Sequence, residues 1–279
     1  MTARFDACIG REERHEELIH PRKVAEMAAT LDLDPAQAID PLPPGWQWLF
    51  FNPAVRRSLL GVDGHPARGG FLPPVELPRR MWAGSRIRYL SDLPVGVRAE
   101  RLSRIASVES KTGKRGALCF VTVQHTVSHG GVVCIEEEQD IVYREATPPG
   151  ASPPAPPARH AEEASWSRDF EADSTLLFRY SALTFNGHRI HYDLPYARDE
   201  EGYPGLVVHG PLTATLLQRF AVECAQGRPL AGFDFRGVSP LFAGRTFQLE
   251  ARADGDDTMA VWARGPDGEL AMSANAVFR

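Results

Sequence analysis

The chain has 279 residues, of which 43% are hydrophobic and 24% charged, and a formal net charge of −5. That balance describes a globular chain long enough for two ordinary domains and gives no electrostatic footprint for nucleic acid. No apolar run reaches the roughly 20 residues that span a bilayer. The acidic opening segment MTARFDACIGREERHEELIH lacks the apolar core of a signal peptide, so the expectation is a cytoplasmic protein with no membrane partner.

Reading along the chain, a short helix is predicted from Pro21, with Val24, Met27, Ala28 and Leu31 at helical spacing. The aromatic segment PLPPGWQWLFFNP comes next, then GGFLPPVELPRRMW, which is too rich in proline for a central strand or helix. From Val97 the pattern turns to strands. VRAERLSRIASVES, ALCFVTVQHTVS and VVCIEEEQDIVYRE alternate, with turns at KTGKRG and HGG between them. The stretch ATPPGASPPAPPAR has almost nothing to bury and reads as an extended tether. It divides the chain into an N-terminal domain over 1–145, a linker over 146–166 and a C-terminal domain over 167–279.

The C-terminal part carries one strong helix, GPLTATLLQRFAVECAQG, with Leu212, Leu216, Phe220 and Cys224 on one stripe. RTFQLEARADG, TMAVWARG and ELAMSANAVFR then read as strands. Both halves therefore end in an antiparallel meander, and the predicted class is α+β: two related units in tandem, one helix packed on each sheet. The cysteines Cys8, Cys119, Cys134 and Cys224 form no C-x-x-C pair and read as reduced, mostly buried thiols. Cys119 and Cys134 could face each other across a hairpin, as packing.

Two segments carry candidate chemistry. TFNGHRIHYD contains Asn186, His188, Arg189, His191 and Asp193. YPGLVVHGPLTATLL brings an apolar run to His209 and Gly210 at the start of the strong helix. The histidines admit three readings. His188, His191 and His209 could ligate a metal, but there is no H-E-x-x-H and no cysteine pair beside them. They could belong to a polar loop. Or His191 could move protons near neutral pH, with Asn186 orienting a water or substrate. Gly210 has two readings as well. It could be an ordinary strand-to-helix turn, or it could offer an unclaimed helix N-terminal N–H to an oxygen that becomes negative.

YSALTFNGHRIHYD together with YPGLVVHGPL resembles the active-site pair of the MaoC-like, R-specific enoyl-CoA hydratases and dehydratases. The resemblance implies a double hot-dog fold, with each unit an antiparallel sheet wrapped round a helix. The family's first motif is Asp-x-Asn-Pro-φ-His. If its histidine falls on His191, its asparagine falls on His188 and its aspartate on Asn186, so this chain lacks the carboxylate. The second motif falls on VVHGPL. These matches imply His191 as acid/base, Asn186 as water-orienting group and the Gly210 N–H as oxyanion donor. His188, Arg189, Asp193, His209 and Pro211 are then substrate-contacting residues.

The variant motif, with WLFF and GGFLPPVELPRRMWAGSRIRY, resembles a subgroup with two kinds of member. One is the mitochondrial-type 3-hydroxyacyl-thioester dehydratases. The other is the hydratases of C5-dicarboxylyl-CoA esters such as mesaconyl-C4-CoA and itaconyl-CoA. The implied activity is that of a hydro-lyase on an acyl-CoA substrate, with no cofactor and no metal, in a homodimer. The N-terminal half copies neither motif; in this arrangement it is degenerate, and its missing helix leaves room for a bulky acyl group. A dicarboxylyl substrate would need a cation for its free carboxylate, for which Arg189, Arg79, Arg80, Arg86 and Arg88 are candidates. The alternatives are a 3-hydroxyacyl-ACP or -CoA dehydratase of fatty-acid type and a non-catalytic acyl-thioester binding module. A thioesterase normally needs a carboxylate where Asn186 stands.

Overall fold

The computed structural model describes residues 5–113, 116–146 and 159–279. Most of the Pro-rich tether, and the middle of the KTGKRG turn, lie outside the described residues.

One ten-stranded sheet organises the chain. Its first half comprises β1 (Glu12–Leu18), β2 (Arg79–Tyr89), β3 (Arg98–Gly113), β4 (Gly116–His129) and β5 (Val132–Arg144). The second comprises β6 (Trp166–Phe170), β7 (Leu230–Gly237), β8 (Phe247–Ala253), β9 (Thr258–Arg264) and β10 (Leu270–Phe278). The spatial order is β1-β3-β4-β5-β2-β7-β10-β9-β8-β6. Every strand pairing is antiparallel. The two five-stranded halves meet where β2 pairs with β7, from Gly84 opposite Arg236 to Arg88 opposite Gly232. A Cβ on Gly84 would sit 2.2 Å from the Phe235 carbonyl oxygen, so only glycine lets the junction close.

The helices explain how the halves differ. α3 (Gly210–Cys224) buries Leu212, Ala214, Leu216, Leu217, Phe220 and Ala221 together with Thr213, Thr215 and Gln218. A helix apolar on most of its circumference must be wrapped, and α3 is, by β7, β8, β9 and β10. Burying Leu212, Leu217 and Phe220 contributes about 2 kcal/mol each. This is the helix-in-sheet unit of a hot-dog, and the tandem halves make the protein an α+β double hot-dog.

The predicted helix at Pro21 is α1 (Pro21–Thr30), and it buries Val24, Met27 and Ala28. It packs on α2 (Ser174–Leu183) and is not wrapped by the first half-sheet, which corrects the expectation of one helix on each sheet. In place of a helix, the concave face of β4 and β5 borders a cavity. Along its wall Val123, His125 and Val127 of β4 stand opposite Gln139, Glu137 and Ile135 of β5. GGFLPPVELP is loop, but the RRMW that follows it opens β2, the central joining strand, which corrects the expectation of no central strand there: the prolines end at Pro78. Cys119 stands opposite Tyr143 and Cys134 lies at the far end of β5, so these two cysteines do not face each other. Among the described residues no helix is long and apolar enough to cross a membrane.

Candidate active site

The first motif is built on the end of α2. Asp173 caps its start, accepting the Leu176 N–H at 2.7 Å. At its end the chain reverses through Phe185, held at φ 49°, a left-handed conformation that costs a non-glycine residue energy and fixes the direction in which the chain leaves the helix. The Asn186 N–H donates to Ser181 O at 2.8 Å, and its side-chain Oδ1 accepts the His188 N–H at 2.9 Å. Asn186 lies on the cavity wall, with its amide N–H groups available as donors. A 3-10 turn over Arg189–His191 comes next, pinned by Ile190 in a small apolar cluster with Tyr196, Ala197 and Val207.

That cluster joins the two motifs. The Val207 N–H donates to Ile190 O at 3.0 Å, and His191 Nδ1 donates to Val207 O at 2.7 Å. The His191 ring stacks on His209 with centroids 3.6 Å apart, and His188 meets His191 edge-on at 5.4 Å. His209 Nε2 and Ser181 Oγ share a hydrogen bond of 2.8 Å. The Nδ1–H bond leaves Nε2 of His191 as the basic nitrogen. Thus the structure does bring His188, His191 and His209 together, as ring-to-ring contacts, with one nitrogen each of His191 and His209 committed to protein oxygen.

Gly210 is the first residue of α3. His209 at the cap gives no side-chain capping hydrogen bond, and Pro211 has no N–H to offer. The Gly210 N–H therefore has no intrahelical partner and carries the positive end of the helix dipole. A Cβ added to Gly210 would meet nothing within 4 Å, and its φ is not left-handed, so neither packing nor backbone strain requires glycine there. Pro211 beside it lines the cavity, which has a volume of about 880 Å³.

Arg189 and Asp193 are spent on each other. Arg189 Nη2 and Asp193 Oδ2 are 2.7 Å apart, and the guanidinium also covers the Tyr196 ring at 4.1 Å. The pair braces the loop and is not directed at the cavity. Of the other candidate arginines, Arg79 pairs with Glu201, Arg86 with Glu138 and Asp140, and Arg88 with Glu136. Arg80 lines the cavity beside Tyr143 and pairs with no carboxylate among the described residues.

Two site residues were invisible to motif reading. The loop 61–67 of the N-terminal half lies against the first motif and carries Asp63 and His65, with the His65 ring 4.1 Å from His188. Asp63, His65 and His188 have ligand-type atoms within 4.8 Å of one another. The only sequence signal was an aspartate two residues before a histidine in VDGHP, a segment with no periodicity.

Burial holds these histidines neutral. It depresses His191 to about 4, with the Val207 hydrogen bond working weakly the other way. It depresses His188 to about 2, helped by His65 and His191, and pushes His209 well below its ordinary value. In the unfolded chain each titrates near 6.5. Below that pH the unfolded chain takes up protons that the folded chain refuses until about 4, so acid favours unfolding. Urea unfolding should show stability intact above pH 6.5 and falling by about 3 kcal/mol toward pH 4 from His191 alone. A flat profile across that window would show that these rings titrate normally.

The sequence profile of hydroxyacyl-thioester dehydratase type 2 matches residues 45–243. The mesaconyl-C(4)-CoA hydratase of Chloroflexus aurantiacus is 49% identical over 280 aligned residues, covering 98% of this chain and 97% of that protein. Among solved structures, HtdX of Mycobacterium tuberculosis superposes with a TM-score of 0.69 at 19% identity, covering 96% of this chain and 100% of that one. A second Mycobacterium tuberculosis protein, described as having a double hotdog fold, superposes with a TM-score of 0.57 at 13% identity over 96% of each chain.

Proposed function

The chain belongs to the hydroxyacyl-thioester dehydratase type 2 family and is a hydro-lyase of enoyl thioesters, and from this premise we propose that its substrate is a C5-dicarboxylyl-CoA of the mesaconyl-C4-CoA kind. The observation that carries this reading is Arg80, an arginine on the cavity wall with no carboxylate partner among the described residues. In mesaconyl-C4-CoA the free carboxylate is attached to Cβ, so its cation must sit beside the reacting carbons and not at the end of a long channel. Arg80 suits that requirement, because it lines the same cavity as His65, Asn186 and Pro211. A guanidinium there can take both carboxylate oxygens.

The chemistry arises from the neighbours. The thioester oxygen accepts the Gly210 N–H, which lowers the cost of enolate-like charge. Asn186 and His191 hold a water against Cβ; as its oxygen bonds to Cβ, His191 Nε2, neutral near pH 7, receives its proton, and a proton reaches Cα. Dehydration runs the same path backwards. Neither a redox cofactor nor a metal takes part in this scheme. A second reading, a 3-hydroxyacyl-thioester dehydratase acting on longer acyl chains, draws on the cavity's size and on apolar walls such as Trp48, Phe51 and Leu72.

A spectrophotometric assay at the enoyl-thioester band separates these readings, using mesaconyl-C4-CoA, itaconyl-CoA, crotonyl-CoA and an enoyl-ACP. The dicarboxylyl esters should be turned over fastest. Arg80→Met should then lower kcat/KM for mesaconyl-C4-CoA by roughly 10–100-fold, the worth of a charge-assisted hydrogen-bond pair, and leave crotonyl-CoA nearly unchanged. Equal losses on both would make Arg80 structural. A wild type that prefers the acyl-ACP would favour the fatty-acid reading, and no turnover of any ester would favour a binding module.

A further inference from the structure

Hydration needs a group that gives a proton to Cα as well as one that takes a proton from water. The first motif has no carboxylate to steady either charge, because Asn186 stands where the resemblance places one. The N-terminal half brings a carboxylate up against the first motif. Its loop is anchored by backbone: the Arg189 N–H donates to Asp63 O at 2.9 Å, and Arg189 Nη1 donates to Val62 O at 3.0 Å. Gly64, at φ +85°, packs so closely that a Cβ would lie 1.9 Å from Gly187 O. Within the loop, Asp63 Oδ1 accepts the His65 N–H at 3.0 Å and Oδ2 accepts the ring Nδ1–H at 2.9 Å. The carboxylate thus fixes the tautomer and leaves Nε2 as the reactive nitrogen. His65 lines the cavity together with Arg80, Asn186 and Pro211.

His65, His188, His191 and His209 form a run of ring contacts with centroid spacings of 4.1, 5.4 and 3.6 Å. Among the described residues only His65 in that run is hydrogen-bonded to a carboxylate. Of the four rings, His65 is therefore the one with a carboxylate beside it to steady an imidazolium.

We propose that Asp63 and His65 complete the active site as its second acid/base group, with His65 exchanging the proton at Cα and Asp63 positioning it. This rests on the enoyl-thioester reading above. In hydration a water O–H bond breaks and its proton goes to His191 Nε2 as the O–Cβ bond forms. The C=C electron pair moves toward Cα and the thioester oxygen, and it then takes the proton from the His65 imidazolium Nε2–H. One proton has passed from His65 to His191, and it returns through water in the cavity, with His188 the ring packed between the two. In dehydration neutral His65, backed by Asp63, removes the Cα proton. The role also gives His188 a place that sequence reading could not supply.

The test is the pH profile of kcat/KM for hydration. Burial carries the proton affinity of His65 below that of a free imidazole, Asp63 and Glu201 work against it, and Arg80 adds to the lowering. His65→Gln should lose ~10²-fold or more in turnover and lose the alkaline limb. Asp63→Asn keeps the imidazole and removes its negative neighbour, so the limb should move to lower pH by roughly 1–3 units. The loop's backbone anchors should preserve the fold in both variants, to be checked by thermal melting. Should His65→Gln fail to fold, the shift in Asp63→Asn decides alone. Wild-type turnover and limb in His65→Gln, beside an inactive His191→Asn, would overturn the proposal while leaving the hydratase reading standing. A wild type inactive on every enoyl thioester would overturn both. One metal ion per chain, lost in His65→Gln, would convert Asp63, His65 and His188 into ligands and also overturn it.

Discussion

His191→Ala should lower turnover of an enoyl thioester by ~10²–10⁴-fold, the usual worth of a positioned acid/base group. At 1.36 kcal/mol per tenfold, that is about 3–5 kcal/mol of transition-state stabilisation. The geometry makes the expectation specific. Nδ1 is tied to Val207 O, the ring face is covered by His209, and burial keeps the imidazole unprotonated near pH 7. The one function left to the ring is acceptance at Nε2. Alanine also removes the clip between the motifs, so a loss could be structural. His191→Asn separates the two, because its amide N–H can still reach Val207 O while no base remains. Both variants should fall together in kcat with KM little changed. An asparagine variant near wild-type turnover would place the proton transfer elsewhere, with Asp63 and His65 the first candidates.

Much of the fold was legible because it is periodic. β3, β4 and β5 carry enough alternation, despite bulges at Ile105/Ser107 and Val127/Ser128, and α3 enough of an apolar stripe, for their types and approximate limits to be read. β1 reads EERHEEL, a charged edge strand whose register is set by β3 and not by any apolar face of its own. β2 was hidden by the prolines before it, although its own residues are ordinary strand residues. What no local pattern could show is that the first half-sheet keeps a cavity where the second keeps a helix. The predicted site divides in the same way. Asn186, His191 and Gly210 lie on two segments that the sequence already marks, and the fold needs only the Val207 clip to unite them. Asp63 and His65 sit more than a hundred residues upstream in an aperiodic loop and meet the site only through tertiary docking. Arg80 became distinguishable from its neighbours only when their carboxylate partners were known.

Gly210 offers the sharpest separation of stability from activity. A methyl group at this position meets open space, and the backbone is not left-handed, so Gly210→Ala carries no steric or strain cost in the free protein. Alanine is also favoured over glycine in a helix by up to about 1 kcal/mol, so the variant should be as stable as the parent or more stable. In the proposed scheme that open space is where the thioester oxygen approaches to accept the Gly210 N–H, and a Cβ there would hold it off. Losing one oxyanion donor costs ~10²–10³-fold in kcat, and Gly210→Ala should approach the lower figure, since its N–H survives but is obstructed. The expected signature is a melting temperature that is level or raised and a kcat reduced by about 10²-fold, with KM little altered. Full activity in Gly210→Ala would return this glycine to an ordinary strand-to-helix turn and leave the developing negative charge to another donor. A variant that instead loses stability would contradict the open space at the head of α3, and the oxyanion role would then need a different probe, such as binding of an enolate analogue to the parent and to Gly210→Ser.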